Sequence, residues 1–230
     1  GLLKDAQAYF EVEDYYVSVY SNHFQSYVTS CIDKMGLWKE IDAMAENAYK
    51  NNFENTGLLV AAYYEHRKKY AKAKQIFEET LKVKGVDKAG VLESLYHLYS
   101  GKYPKPDWAK ALYYVNEQDK LYQKMNPQDR VQGSYLAERG ECLYGLGRKA
   151  EARECFRKSL ADISLDDDGS PGVYYDSKVI MEWKDYPMVI EYCKKIIEFL
   201  KNQSPELAVY GLRDSYLYYG KAYAKMGQRA

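Results

Sequence analysis

Apolar residues recur every three or four positions along almost the whole chain, and no segment alternates apolar and polar residues for long enough to read as a strand. The pattern predicts helices of about 12 to 20 residues joined by short turns. Prolines punctuate this run. Pro104, Pro106, Pro127 and Pro171 fall between periodic segments. Pro187 and Pro205 fall in first helical turns, behind Asp185 and Ser204 as N-caps, where a missing N–H costs least. The expected fold class is all-α. A capping helix is expected within 1–22, then helix pairs at about 24–51, 55–84, 88–124, 128–161 and 171–201, and an unpaired helix at 205–230.

The helices repeat a layout. In "GECLYGLGRKAEARECFRKSL" a small residue, Gly140, precedes a turn at Gly147, and Ala152 and Phe156 follow on the next helix. "AAYYEHRKKYAKAKQIFEETL" places Ala61, Tyr64, Tyr70, Ala73 and Phe77 at matching offsets. "YGKAYAKMGQRA" places Gly220, Tyr223 and Gly227 where the first stretch has Gly140, Leu143 and Gly147. "TSCIDKMGLWKEIDAMAENAY" and "SKVIMEWKDYPMVIEYCKKII" follow with Gly36, Ile41 and Ala45, and with Tyr186, Val189 and Cys193. "LYHLYSGKYPKPDWAKALYYV" keeps Ala111 behind a longer turn. The second-helix anchors are thus Ile41, Ala73, Ala111, Ala152 and Val189, about 32 to 41 residues apart.

This register resembles the tetratricopeptide repeat (TPR), with 92–122 looking more like the related Sel1-type copy. The resemblance rests on recurrence rather than on any single copy, and it is closest at 57–83 and 136–161. It implies a right-handed α-solenoid of antiparallel helix pairs whose first helices line a concave face. Physical reasoning agrees on the small residues: helices approach to about 8–10 Å only where contact side chains are small. Gly147 suits a helix C-terminus that needs positive φ.

The resemblance also implies which residues face the concavity: those three before, one after and four after each small first-helix position. Partner-binding candidates on that basis are Glu65, Tyr96, Tyr103, Glu141, Tyr144, Tyr174, Lys178 and Lys221. The carboxylate clamp of chaperone-binding TPR proteins is missing, because the corresponding positions read Ser26 and Ser30, or Leu58 and Ala62.

Composition adds one strong feature, 26 tyrosines against three tryptophans and six phenylalanines. Tyr combines an apolar body with a hydroxyl that needs a partner, so it suits half-buried helix faces and binding grooves. The 33 basic and 33 acidic residues balance, and no basic cluster with interleaved aromatics appears, so no nucleic-acid partner is expected. No apolar run reaches the roughly 20 residues needed to span a bilayer, so no membrane insertion by this segment is expected. Cys31, Cys142, Cys155 and Cys193 form no CxxC and read as buried thiols, which favours a cytoplasmic setting without excluding an exported one.

Candidate chemistry thins on inspection. Gly145-x-Gly147-x-x-Ala150 matches a dinucleotide fingerprint in form, but a helical run precedes it where a strand is required. Asp166, Asp168 and Gly169 fall at EF-hand-like offsets, yet Ser164 and Tyr175 stand where Asp and Glu belong. His23, His66 and His97 are isolated. The reading is a non-catalytic protein–protein interaction scaffold, with no cofactor or metal, binding a protein or peptide on a Tyr-rich concave face. The alternative is a ligand- or protein-sensing input domain of a larger bacterial membrane sensor or transcriptional regulator. The last helix is expected to carry an apolar edge at Tyr216, Tyr219 and Tyr223, covered by a continuation of the chain or by another molecule.

Overall fold

The computed structural model describes residues 35–102, 105–124, 134–160 and 174–227, and among them it contains α-helices, one π-helical turn and no strand. The expected capping helix and the first helix of the first pair lie outside the described residues. The chain divides into two compact units, Gly1–Pro106 and Asp107–Ala230.

In the first unit, α1 (Trp38–Asn51), α2 (Phe53–His66), α3 (Tyr70–Thr80) and α4 (Lys88–His97) follow in order, and α4 runs into a π-helical turn at Leu98–Lys102. Each helix packs against its sequence neighbour, α2 most closely against α3. The core joins Ile41 and Ala45 of α1, Leu59, Val60 and Tyr64 of α2, Ile76 and Phe77 of α3, and Leu95 of α4. The second unit holds α5 (Trp108–Tyr122), α6 (Ser134–Gly145), α7 (Lys149–Ser159), α8 (Tyr174–Glu182), α9 (Tyr186–Leu200) and α10 (Pro205–Lys225). Its core joins Leu143 and Tyr144 of α6, Phe156 of α7, Ile180 of α8, Tyr192 and Ile196 of α9, and Ala222 of α10. The division falls between α4 and α5, which the sequence reading takes as two halves of one pair.

One turn recurs. After α2 the Lys68 N–H donates to the Glu65 carbonyl (2.9 Å) and the Lys69 N–H to the Tyr64 carbonyl (2.9 Å). After α6 the same two bonds run from Gly147 to Tyr144 (2.9 Å) and from Arg148 to Leu143 (2.8 Å). After α8 they run from Lys184 to Met181 (2.9 Å) and from Asp185 to Ile180 (3.2 Å). This is the Schellman arrangement, which ties off the last carbonyls of a helix through one left-handed residue. That residue is Lys68 (φ 57°), Gly147 (φ 76°) or Lys184 (φ 57°), and Gly36 (φ 67°) and Gly227 (φ 71°) share the conformation.

Five residues after that position stand the anchors predicted from sequence. Ile41, Ala73, Ala152 and Val189 all have 0% exposure, as does Ala111 behind its longer turn. All five donate the same first-turn hydrogen bond, to Leu37, Lys69, Asp107, Arg148 and Asp185 at 2.9–3.2 Å. Seven residues before the left-handed position comes the small residue. A Cβ placed on Gly140 would lie 2.6 Å from the Phe156 ring, so only glycine lets α6 approach α7 this closely. The equivalent pair in the next copy is Ser177 and Cys193, whose sulfur lies 3.7 Å from the Ser177 hydroxyl. A larger residue on one helix thus meets a smaller one on the other.

Candidate partner-binding face

In the second unit α8 packs against both α6 and α10, so these three helices form one row, while α9 packs against α7, α8 and, most closely, α10. The residue that follows the small contact position is charged on every helix of the row: Glu141 on α6, Lys178 on α8 and Lys221 on α10. Glu141 is half-buried, and both lysines are exposed. Lys178 stands 4.0 Å from Glu182 one turn on, and the Lys221 ammonium lies 5.2 Å from the Tyr218 ring centroid. Half-buried Met181, packed against the core of the unit, is the apolar residue three positions after Lys178 on α8. The row therefore combines a carboxylate, two cations, an aromatic ring and a thioether.

The remaining candidates fare differently. Glu65 is half-buried at the end of α2, in the first unit. Tyr96 is buried, its ring 4.8 Å from that of His97. Tyr103 lies outside the described residues, as does the side chain of Tyr174. Tyr144 is buried as well, stacked between Phe156 (5.7 Å) and Trp183 (6.0 Å), and its hydroxyl donates to Asp185 Oδ2 at 2.9 Å. Its place four residues after Gly140 lies on the border of the helix face, where a ring rotates inward once an acceptor waits there. Asp185 is that acceptor.

Sequence reasoning assigned Asp185 to capping α9, but its side chain makes no cap hydrogen bond. Instead the wholly buried carboxylate takes a two-pronged contact from Arg153, 2.7 Å on each oxygen, with Lys149 at 3.6 Å. Burial works to raise its pKa, but the hydrogen bonds from Arg153 and Tyr144 and the charges of Arg153 and Lys149 hold it below the ordinary carboxylate range. Burial and that hydrogen bond push the Tyr144 hydroxyl well above its usual value, so it stays a donor.

The same pairing of tyrosine with carboxylate recurs between helices. Tyr63 donates to Asp42 (2.8 Å), Tyr64 to Glu46 (2.7 Å) and Tyr99 to Glu78 (2.8 Å), and Tyr49 is bonded to Glu79. Tyr192 donates to Asp176 Oδ2 at 2.5 Å, and the Ser159 hydroxyl reaches the same oxygen at 3.2 Å. Among the described residues Asp176 has no cation as a hydrogen-bond partner, and burial pushes its pKa up to about 7. These contacts account for six of the 26 tyrosines by packing: each hydroxyl satisfies a carboxylate on a neighbouring element.

Cys142, Cys155 and Cys193 are free, buried thiols, and burial raises the pKa of each. Among the described residues no three His, Cys, Asp or Glu side chains cluster as metal ligands would, and no helix is long and apolar enough to cross a membrane. The EF-hand-like stretch lies outside the described residues. Compared with known protein families, curated proteins and solved structures, the chain finds no match in any of the three.

Proposed function

We propose that the chain is a TPR-like interaction scaffold. Its helix pairs would run antiparallel along a right-handed coil, and it would hold an extended or helical segment of another protein without catalysis or cofactor. The observation that carries this reading is the register of the row α6, α8 and α10. The residue after each small contact position is charged on all three of these helices, Glu141, Lys178 and Lys221, and that recurrence supports one shared binding face in this reading. Charged groups at an interface set orientation and encounter rate, while Met181 and Tyr218 supply apolar contact. Tyr96 and Tyr144 do not belong to the binding surface in this reading, because both are spent on packing.

A displayed library of random peptides, selected on the full chain, tests it. Peptides that combine acidic and aromatic residues are expected to enrich. The double substitution Lys178→Glu, Lys221→Glu is expected to weaken them at least tenfold without changing far-UV circular dichroism. No enrichment over a blank surface, or peptides indifferent to the double substitution, would refute the reading.

A further inference from the structure

The seam where α7, α8 and α9 meet is polar at its centre. Asp176 of α8 and Ser159 of α7 are 3% and 1% exposed, and Tyr192 of α9 is wholly buried. The Asp176 Oδ2 oxygen lies 2.5 Å from the Tyr192 hydroxyl and 3.2 Å from the Ser159 hydroxyl, and the two hydroxyls are 3.2 Å apart. The Ser159 hydroxyl also lies 2.9 Å from the Phe156 carbonyl of its own helix. Those are four polar contacts, and the two hydroxyls bring only two hydrogens to them. The Ser159 hydrogen goes to the Phe156 carbonyl, its closest acceptor, which leaves the phenol as the one hydroxyl donor to a charged carboxylate. A proton on Asp176 supplies the third hydrogen. Asp176 then donates to Tyr192, Tyr192 to Ser159 and Ser159 to Phe156, and every hydroxyl in the seam is satisfied.

No cation compensates this carboxylate among the described residues, whereas Asp42, Glu46 and Asp185 each hold a lysine or an arginine. The groups facing inward around Asp176 are neutral: Ser159 on α7, Tyr192 and Cys193 on α9, and Ser215 and half-buried Tyr219 on α10. On α6, Tyr144 is bonded to Asp185, as is Arg153 of α7. Arg157, Lys158 and Lys178 are exposed and ion-paired with Glu191, Glu154 and Glu182. Burial therefore outweighs the hydrogen bonds that favour the charge of Asp176, and its pKa stands at about 7. α8 itself has nine residues, a length at which a helix is marginal without its packing. We propose that this seam is a proton-operated joint: the proton on Asp176 holds α8 against α7 and α9, and its loss releases α8 locally while the rest of the unit stays folded. In the released state Asp176 meets water and titrates near 3.8, so release becomes easier as pH rises from 3.8 to 7 and levels off above it. α8 is the middle helix of the row α6, α8 and α10. If the binding function proposed for that row holds, the same proton controls whether Lys178 keeps its place in it, but the joint does not depend on that function.

Amide hydrogen exchange of the full chain, followed by NMR from pH 5 to pH 8 and corrected for the intrinsic pH dependence of exchange, tests the joint. Protection of the α8 amides is expected to fall by about a hundredfold over that range, and at pH 8 to lie at least tenfold below that of α7 and α9. Asp176→Asn carries donor hydrogens at every pH and should keep α8 protected throughout. Tyr192→Phe removes a hydrogen bond that favours the charged carboxylate, so protection should level off at a higher pH than in the wild type. Protection of α8 that ignores pH overturns the inference, as does an equal fall in Asp176→Asn or a levelling pH that Tyr192→Phe leaves in place. Equal protection of α7, α8 and α9 at pH 8 would also overturn it, by showing that the unit opens as a whole. No peptide enters this experiment, so failure of the binding function would leave its outcome unchanged.

Discussion

At the scale of single residues, the fold relies on buried aromatic rings with tightly matched neighbours. Phe156 is fully buried between Gly140, Tyr144 and Tyr192. Phe156→Ala would leave a cavity at the α6–α7 crossing, and a loss of about 3–5 kcal/mol in chemical denaturation is expected. Asp176 gives a pH signature. Its pKa rises from 3.8 to about 7 on folding, because burial disfavours its charge by more than the hydrogen bonds from Tyr192 and Ser159 favour it. The folded state therefore holds this proton more tightly than the unfolded one. The resulting stability is fully present below pH 3.8 and lost as pH rises through 7. The wild type should melt at a higher temperature at pH 5 than at pH 8, and Asp176→Asn should flatten that difference. An equal slope in both proteins would show that Asp176 is charged in the fold.

At the scale of elements, the recurrent turn makes opposite expectations for chemically similar changes. Lys68 and Lys184 hold the left-handed conformation in which a side chain is strained, whereas glycine already occupies it at 147. Lys184→Gly is expected to stabilise the chain by about 0.5–1 kcal/mol and Gly147→Ala to destabilise it by about 1 kcal/mol, measured by urea midpoints. Two glycines in one register part company in the same way. Gly140→Ala forces a methyl into the buried Phe156 ring and should cost about 1–3 kcal/mol. Gly220→Ala meets nothing within 4 Å among the described residues and should gain about 0.5–1 kcal/mol from helix propensity alone.

These elements also show what could be read in advance. The anchors Ile41, Ala73, Ala111, Ala152 and Val189 were legible because burial at helical spacing selects small or apolar residues directly. Gly147 was legible because left-handed backbone favours glycine. Lys68 and Lys184 were not, since lysine carries no signal for that conformation, and only the hydrogen bonds of the turn reveal it. Gly145 was equally opaque. Its reason is Trp108, distant in sequence, whose ring would lie 2.2 Å from an added Cβ.

At the scale of the whole molecule, the sequence register and the helix packing can be compared residue by residue. Charge at Glu141, Lys178 and Lys221 follows from register, and the row of α6, α8 and α10 places all three on neighbouring helices of one unit. Tyr96 and Tyr144 misled for a physical reason. An amphipathic ring suits a groove and a buried seam alike, and only a waiting partner such as Asp185 decides between them. Glu65 and Tyr96 belong to the first unit, so the binding proposed for the row rests on the second unit alone.

The most direct test is a backbone-amide NMR titration of the full chain with the tightest peptide selected on it. Shift changes concentrated at Glu141, Lys178 to Glu182 and Tyr218 to Lys221 are the expected result. Changes confined to α7 and α9, or to the unit Gly1–Pro106, would contradict the account.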